Sequence, residues 1–266
     1  MKHSIKYLKA ITTCLTFIFV ASCTSEIDGT SEYPVVRDSK IKKLSFMASW
    51  GTESWEFTYD SNRRVTSIAN SWEDGSPDMI TYNYSQAGKL TINKSGYDTN
   101  YTLDGEGRIS KELWNDAGTE YAGFEYDNTT GVLSKIIEHY GGVDHLKYEN
   151  IITNGNITNR VRYQDDGVTV KEDRVFEYTI ANNPSGIQQV FTVDSQWKNT
   201  GGVFGKPTKK LAKNYVRKLA SDPDSSFGAT FDYTFDDENR VSTLTKNGTG
   251  SGGSFSESWS YTYYED

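Results

Sequence analysis

The fold this sequence predicts is all-β: an antiparallel meander of repeated hairpins forming one large, twisted and partly closed sheet. Three observations lead there. Aromatic residues are abundant, with 18 Tyr, 12 Phe and 6 Trp in 266 residues, and Tyr outnumbers Leu and Ala at 11 each. Such side chains suit a pleated, half-buried surface. They also alternate with polar residues at period two, as in Trp55, Phe57 and Tyr59 against Glu56 and Thr58, which puts the rings on one face of a strand. Turn residues then recur at hairpin spacing. The length is enough for one domain with its own core.

The chain opens with Lys2, Lys6 and Lys9 and no acid, followed by the short apolar run Ile11–Val20. That run is too short to span a bilayer comfortably and suits a secretory leader. It leads into Val20-Ala21-Ser22-Cys23, which resembles a bacterial lipobox. The resemblance implies cleavage before Cys23 and lipid attachment to its thiol and new amine. The reading divides the chain into a signal peptide over 1–22, the lipidated Cys23 with a flexible tether to residue 38, and a β domain over 39–266. Cys14 lies in the leader, so the mature chain has neither free thiol nor disulfide. Loss of three lysines and no acid takes the formal charge from −8 to −11. This acidity argues against nucleic acid as a partner and keeps the surface off anionic head groups. The membrane partner is then the acyl anchor, on the cell-surface or periplasmic face of the outer membrane. Residues 24–38 are polar and read as the tether.

The hairpins follow in order. Phe57-Thr58-Tyr59-Asp60 is followed by a polar turn, Arg64 and Val65. The same grammar returns at Tyr82–Tyr84 with Lys89 and Leu90, at Tyr101–Asp104 with Arg108 and Ile109, and at Phe124–Asp127 with Leu133. Looser copies begin at Leu146 and Phe176; a good one runs from Phe231 through Asp236 to Arg240 and Val241, and the chain closes on Trp259–Tyr263. Asp bonds its own downstream backbone, and Gly or Asn accepts positive φ. The basic residue can cover rings or pair with acids.

This grammar resembles the YD repeat of Rhs-type and teneurin shells over roughly residues 50–140 and 230–265. A nearer resemblance is to a family of Bacteroidetes lipoproteins with a lipobox, a tether and one YD-like β domain of porin-like fold. Gly205-Lys206-Pro207-Thr208-Lys209-Lys210-Leu211-Ala212 resembles that family's Gly-Lys-x-Ser/Thr-Lys-Asn-Leu-Pro insertion, departing at Lys210 and Ala212. The resemblance implies no activity, substrate or cofactor.

A basic stretch at about 195–228 interrupts the repeat, with Lys198, Lys206, Lys209, Lys210, Lys213, Arg217 and Lys218. Leu211, Tyr215 and Leu219 at i, i+4 and i+8 predict a short helix over one sheet end. The stretch reads as a functional loop or as a plug or edge cover. A transmembrane barrel is disfavoured, because the face opposite the rings is Thr, Glu, Asn, Ser and Lys.

Candidate chemistry is thin. His139 and His145 flank Tyr140-Gly141-Gly142, with Glu138 and Asp144 nearby; they read as two histidines on opposite hairpin arms rather than a metal site. The acid pairs Glu73-Asp74, Asp165-Asp166 and Asp236-Asp237 sit in turn-like sequence, where turn chemistry explains them. Trp50, Trp72, Trp114 and Trp197 could stack on sugar rings or fill the core. The expectation is therefore a lipid-anchored envelope protein without catalytic residues, cofactor or metal, binding a glycan or a protein. The alternatives are a carboxylate-based polysaccharide hydrolase, or an accessory subunit of an envelope complex.

Overall fold

A computed structural model describes residues 40–72, 78–188, 198, 202–250 and 253–265. Cys23 and the tether, Glu73-Asp74 and Trp197 lie outside the described residues.

The described residues form sixteen strands and close completely into a barrel. In chain order these are β1 (Ile41–Ala48), β2 (Gly51–Tyr59), β3 (Val65–Trp72), β4 (Asp78–Asn83), β5 (Lys89–Lys94), β6 (Tyr97–Leu103), β7 (Ile109–Leu113) and β8 (Tyr121–Tyr126). They continue as β9 (Leu133–Tyr140), β10 (Val143–Thr153), β11 (Asn156–Tyr163), β12 (Val170–Asn182), β13 (Lys210–Leu219), β14 (Asp222–Phe235), β15 (Val241–Gly250) and β16 (Gly253–Tyr263). Every strand pairs antiparallel with its chain neighbours, and β1 pairs with β16, where Leu44 faces Tyr261 and Phe46 faces Trp259. The meander is as the repeat predicts, and the closure is complete rather than partial.

The repeat grammar has a physical explanation at the turns. Asp104 Oδ1 accepts the backbone N–H groups of Glu106 and Arg108, both at 2.9 Å. Its Oδ2 accepts Arg108 Nε at 2.7 Å. Gly107 supplies the positive φ, 78°. The Arg108 guanidinium lies over the Tyr126 ring of the next hairpin, 4.3 Å from its centroid. Tyr126 Oη in turn donates to Ile109 O at 2.6 Å. The Asp236 turn repeats this with Arg240 over Tyr263 at 4.7 Å and Tyr263 Oη donating to Val241 O at 2.7 Å. At the Asp60 turn, Arg64 lies over Tyr84 at 4.3 Å. Asp, Arg, aliphatic and the next Tyr are thus one staple between successive hairpins.

Burial pushes the Asp104 carboxyl up, but the backbone and guanidinium hydrogen bonds from Arg108 outweigh it and hold it below 3.8. A depressed folded value means the stability is complete above that pH and is lost as pH falls through it. Asp104→Asn is expected to cost about 1–2 kcal/mol at neutral pH and to flatten the loss of thermal midpoint below about pH 4. A calorimetric pH series checks both.

The wall has a polar outside. Hydroxyl and amide side chains meet across strands at Ser54–Ser71 (2.9 Å), Thr91–Asn100 (2.9 Å), Thr102–Ser110 (2.8 Å) and Thr234–Ser242 (2.8 Å). Lys43–Glu56 and Lys135–Glu149 add exposed ion pairs. The inside changes character along the axis. Near the Asp-turn end it is apolar and aromatic, with Trp55, Phe57, Ile68, Leu90, Leu244, Trp259 and Tyr261 buried in one cluster. Towards the other end the same inward parity carries charge: Glu53 follows Trp55, Lys94 follows Ile92, Lys246 follows Leu244, and Glu257 follows Trp259.

Residues 210–235 do not belong to an insertion. They are β13 and β14, and the predicted helix is a strand. Spacings of four and eight satisfy period two as well as the helical period, so Leu211, Tyr215 and Leu219 carried no decision between them. The described residues that leave the wall between β12 and β13 are 183–188, 198 and 202–209.

Candidate ligand-binding site

The segments 183–188 and 202–209 lie across the Asp-turn end as a cap. Its described segments are stitched to the wall by backbone. Ile109 N donates to Val203 O at 2.8 Å, Lys206 N to Gly131 O at 2.9 Å, and Lys209 N to Gly155 O at 2.9 Å. Val241 N donates to Ser185 Oγ at 2.7 Å. Asn183 Nδ2 ties the two cap segments by donating to Ile187 O and Thr208 O, at 2.8 and 3.0 Å. Ile187, Val203 and Phe204 reach into the apolar cluster; Phe204 packs on Phe124 and Tyr101, ring centroids 5.2 and 6.3 Å apart. Burying three apolar side chains offsets part of the cost of ordering the cap, and the backbone hydrogen bonds to the wall add to that offset.

A cavity of about 1190 Å³ lies at this end, between the cap and the turns. Lys206, Lys209 and Thr208 of the Gly-Lys-Pro-Thr-Lys motif line one side, and Lys40, Arg63 and Tyr59 another. Asn154, Asn183, Ser185 and Gln188 add amides and a hydroxyl. Among the described residues no Asp or Glu lines it. On an acidic chain this is a local concentration of positive charge and hydrogen-bond donors, suited to sugar hydroxyls or to anionic groups. Sequence reasoning singled out Lys206 and Lys209 but missed Lys40 at the entry to β1 and Arg63 and Asn154 in separate turns, which only closure brings together.

The other singled-out residues are dispersed. His139 and His145 stand on opposite faces of the wall. His139 Nδ1 contacts Asp144 Oδ1 at 2.6 Å and its ring stacks on Tyr121 at 4.9 Å, whereas His145 stacks on Tyr140 at 4.2 Å. Asp166 Oδ1 accepts the N–H groups of Val168 and Thr169, and Asp236 caps its own turn. Trp50, Trp72 and Trp114 are 60%, 47% and 44% exposed at or beside the end opposite the cap. Trp50 and Trp72 lie 6.0 Å apart, tilted by 45°. The inward carboxylates are partnered: Glu257 with Lys246 at 2.8 Å, Glu138 with Lys147 at 3.3 Å, and Glu112 with Lys198 at 3.4 Å. Burial pushes the Glu53 carboxyl up, against a hydrogen bond from Asn70 and the charge of Lys94.

No protein-family model matches the chain, and comparison with curated protein sequences finds no relative. Solved structures do resemble it. A porin-like protein from Bacteroides uniformis superimposes with a TM-score of 0.67 at 16% identity, covering 84% of this chain and 98% of that one. A porin-like protein from Bacteroides vulgatus gives 0.52 at 11% identity, covering 86% and 100%. At these identities the likeness is one of fold: this chain has the porin-like sixteen-stranded barrel.

Proposed function

We propose that this protein is a non-catalytic binding module of the bacterial envelope, held at the outer membrane by lipid on Cys23 and exposing its barrel to water. Its ligand, a glycan or a protein segment, enters the cavity between the cap and the turns. The observation that carries this reading is the polarity of the wall. A lipid-facing barrel needs an apolar residue at each outward position across its band. Here most outward positions carry Ser, Thr, Asn, Lys and Glu, with exposed apolar residues such as Met47, Met79, Ile151, Val175 and Val216 only scattered among them, and the large buried apolar residues point inwards around a packed core. The amides, hydroxyls and cations of the cavity, and the lysine partners of the inward carboxylates, support binding over acid–base hydrolysis.

Cys23→Ala separates the anchor from the wall. The variant is expected to leave the membrane fraction and appear in the soluble fraction of lysed cells without detergent, while the parent protein stays with the membrane. Retention of the variant in washed membranes would mean that the barrel itself is inserted.

The exposed outward residues Ile151, Val175 and Val216, on β10, β12 and β13, favour a second reading as a subunit of an envelope complex.

A further inference from the structure

We infer that the lumen holds a binding site for an oxyanion, built from Arg162, Arg174 and Arg217 around Glu172, with Arg160 beside them. The inference rests on reading the barrel as a binding module, but it names a different place from the cavity under the cap.

The residues form a grid on the inward face of three neighbouring strands. Arg160 of β11 lies directly opposite Arg174 of β12, which lies opposite Arg217 of β13. In the next inward row Arg162 faces Glu172, which faces Leu219. Like charges directly opposite destabilise a sheet, so three arginines in one row are costly unless counter-charge gathers there. The grid supplies one carboxylate. Glu172 is 4% exposed and engages Arg174 Nε through Oε1 and Arg217 Nη2 through Oε2, the latter at 2.6 Å. These two guanidiniums and burial compete for its ionisation: burial pushes its carboxyl up, and the arginines bring it below the usual range.

Glu172 cannot satisfy the row. A guanidinium has five donors in a fixed fork. Arg162 Nε and Arg217 Nε are both buried and make no hydrogen bond among the described residues. Aromatic rings line the grid: Arg160 lies over Tyr148 at 4.3 Å with Arg162 at 5.6 Å from the same ring, and Arg217 lies 5.9 Å from Phe227. The forks are therefore held by side-chain packing with donors left over, which is the arrangement that takes a multi-oxygen anion in paired hydrogen bonds. The buried cluster of Val132, Ile157 and Phe176 lies between this grid and the cap end. The ligand chemistry is a carboxylate, sulfate or phosphate group, carried either by a small free ion or by an acidic sugar.

The test is isothermal titration of the full lipidated protein in neutral-detergent micelles. The probes are inorganic sulfate, inorganic phosphate, a uronic-acid disaccharide and an uncharged disaccharide. At least one anion is expected to bind, with Kd weakened tenfold or more by Arg174→Gln and by Arg217→Gln. Arg217→Lys keeps the charge but loses the fork, and should weaken binding several-fold. Glu172→Gln should tighten it. Binding of the free ions as tight as the sugar acid identifies a small-ion site; preference for the sugar acid identifies a glycan site, and both support the inference. Anion binding abolished by Lys206→Gln and Lys209→Gln but untouched by Arg217→Lys would overturn the lumen site and leave the cap cavity as the binding site. Binding of the uncharged disaccharide alone would likewise overturn the lumen site.

Discussion

Titration into alkali is expected to unfold the barrel in one cooperative step beginning near pH 10. The cause is the row of inward tyrosines. Burial pushes the phenols of Tyr84 and Tyr263 up to about 12 from 10.0, and those of Tyr101, Tyr126, Tyr178 and Tyr233 further. Tyr82 and Tyr261, the most deeply buried, are raised well above their ordinary value. Each folded value lies above the unfolded one, so the stability these groups hold is complete below pH 10 and is lost as pH climbs through the folded values. Tyr263 alone contributes about 2–3 kcal/mol across that window. Several such groups exceed the few kcal/mol to which a domain's net stability amounts. Unfolding should therefore precede ionisation, and phenolate absorbance should rise together with loss of the near-ultraviolet circular dichroism. A smooth phenolate titration with the dichroism intact would show that the lumen at the ring layer is already wet, contrary to the packed core.

The same tyrosines show how much of the fold was legible. Asp104, Arg108, Ile109 and Tyr126 are one local staple repeated down the chain, and each member shows as a spacing. The sequence therefore showed hairpin after hairpin and the side of the strand on which the rings lie. Partial closure was expected, but complete closure was not legible, because Leu44 meets Tyr261 only when strand number and stagger bring the ends together. The cap cavity depends on that closure, and so Lys40 and Arg63 stayed hidden while Lys206 and Lys209 stood out in a motif. The charged lumen was hidden for another reason. Lys246 and Glu257 look like solvated surface residues until the parity of Leu244 and Trp259 is carried two positions further, which turns them inward to pair at 2.8 Å. On β12, Arg174 and Glu172 extend the parity of Phe176 in the same way. The information was present in the alternation, but a pattern that seeks apolar residues stops where they do.

Gly205→Ala is expected to be the most damaging small substitution in the cap. Gly205 has φ 92°, a region where an L residue is strained. A Cβ there would stand 2.7 Å from Tyr126 Cε1 and 2.9 Å from Gly131 O. Neither neighbour can give way cheaply. Gly131 O accepts Lys206 N at 2.9 Å, and the Tyr126 ring is held by Arg108 above it and by its hydroxyl on Ile109 O. The methyl must displace either the cap or the staple that positions the hairpin. Strain and overpacking together predict a loss of roughly 2–5 kcal/mol, or a thermal midpoint lower by about 5–15 °C. Gly118→Ala provides the comparison. Gly118 has φ 67°, but its nearest neighbour to a Cβ is Leu113 Cδ2 at 4.0 Å, so it should lose only the strain, about 1–2 kcal/mol. The excess at Gly205 measures the cap contact. Hydrogen exchange adds a local readout: the Lys206 amide should lose protection in Gly205→Ala and keep it in Gly118→Ala. Equal losses in the two variants would show that the cap yields without cost. The cavity it bounds would then be a loose edge rather than a preformed site.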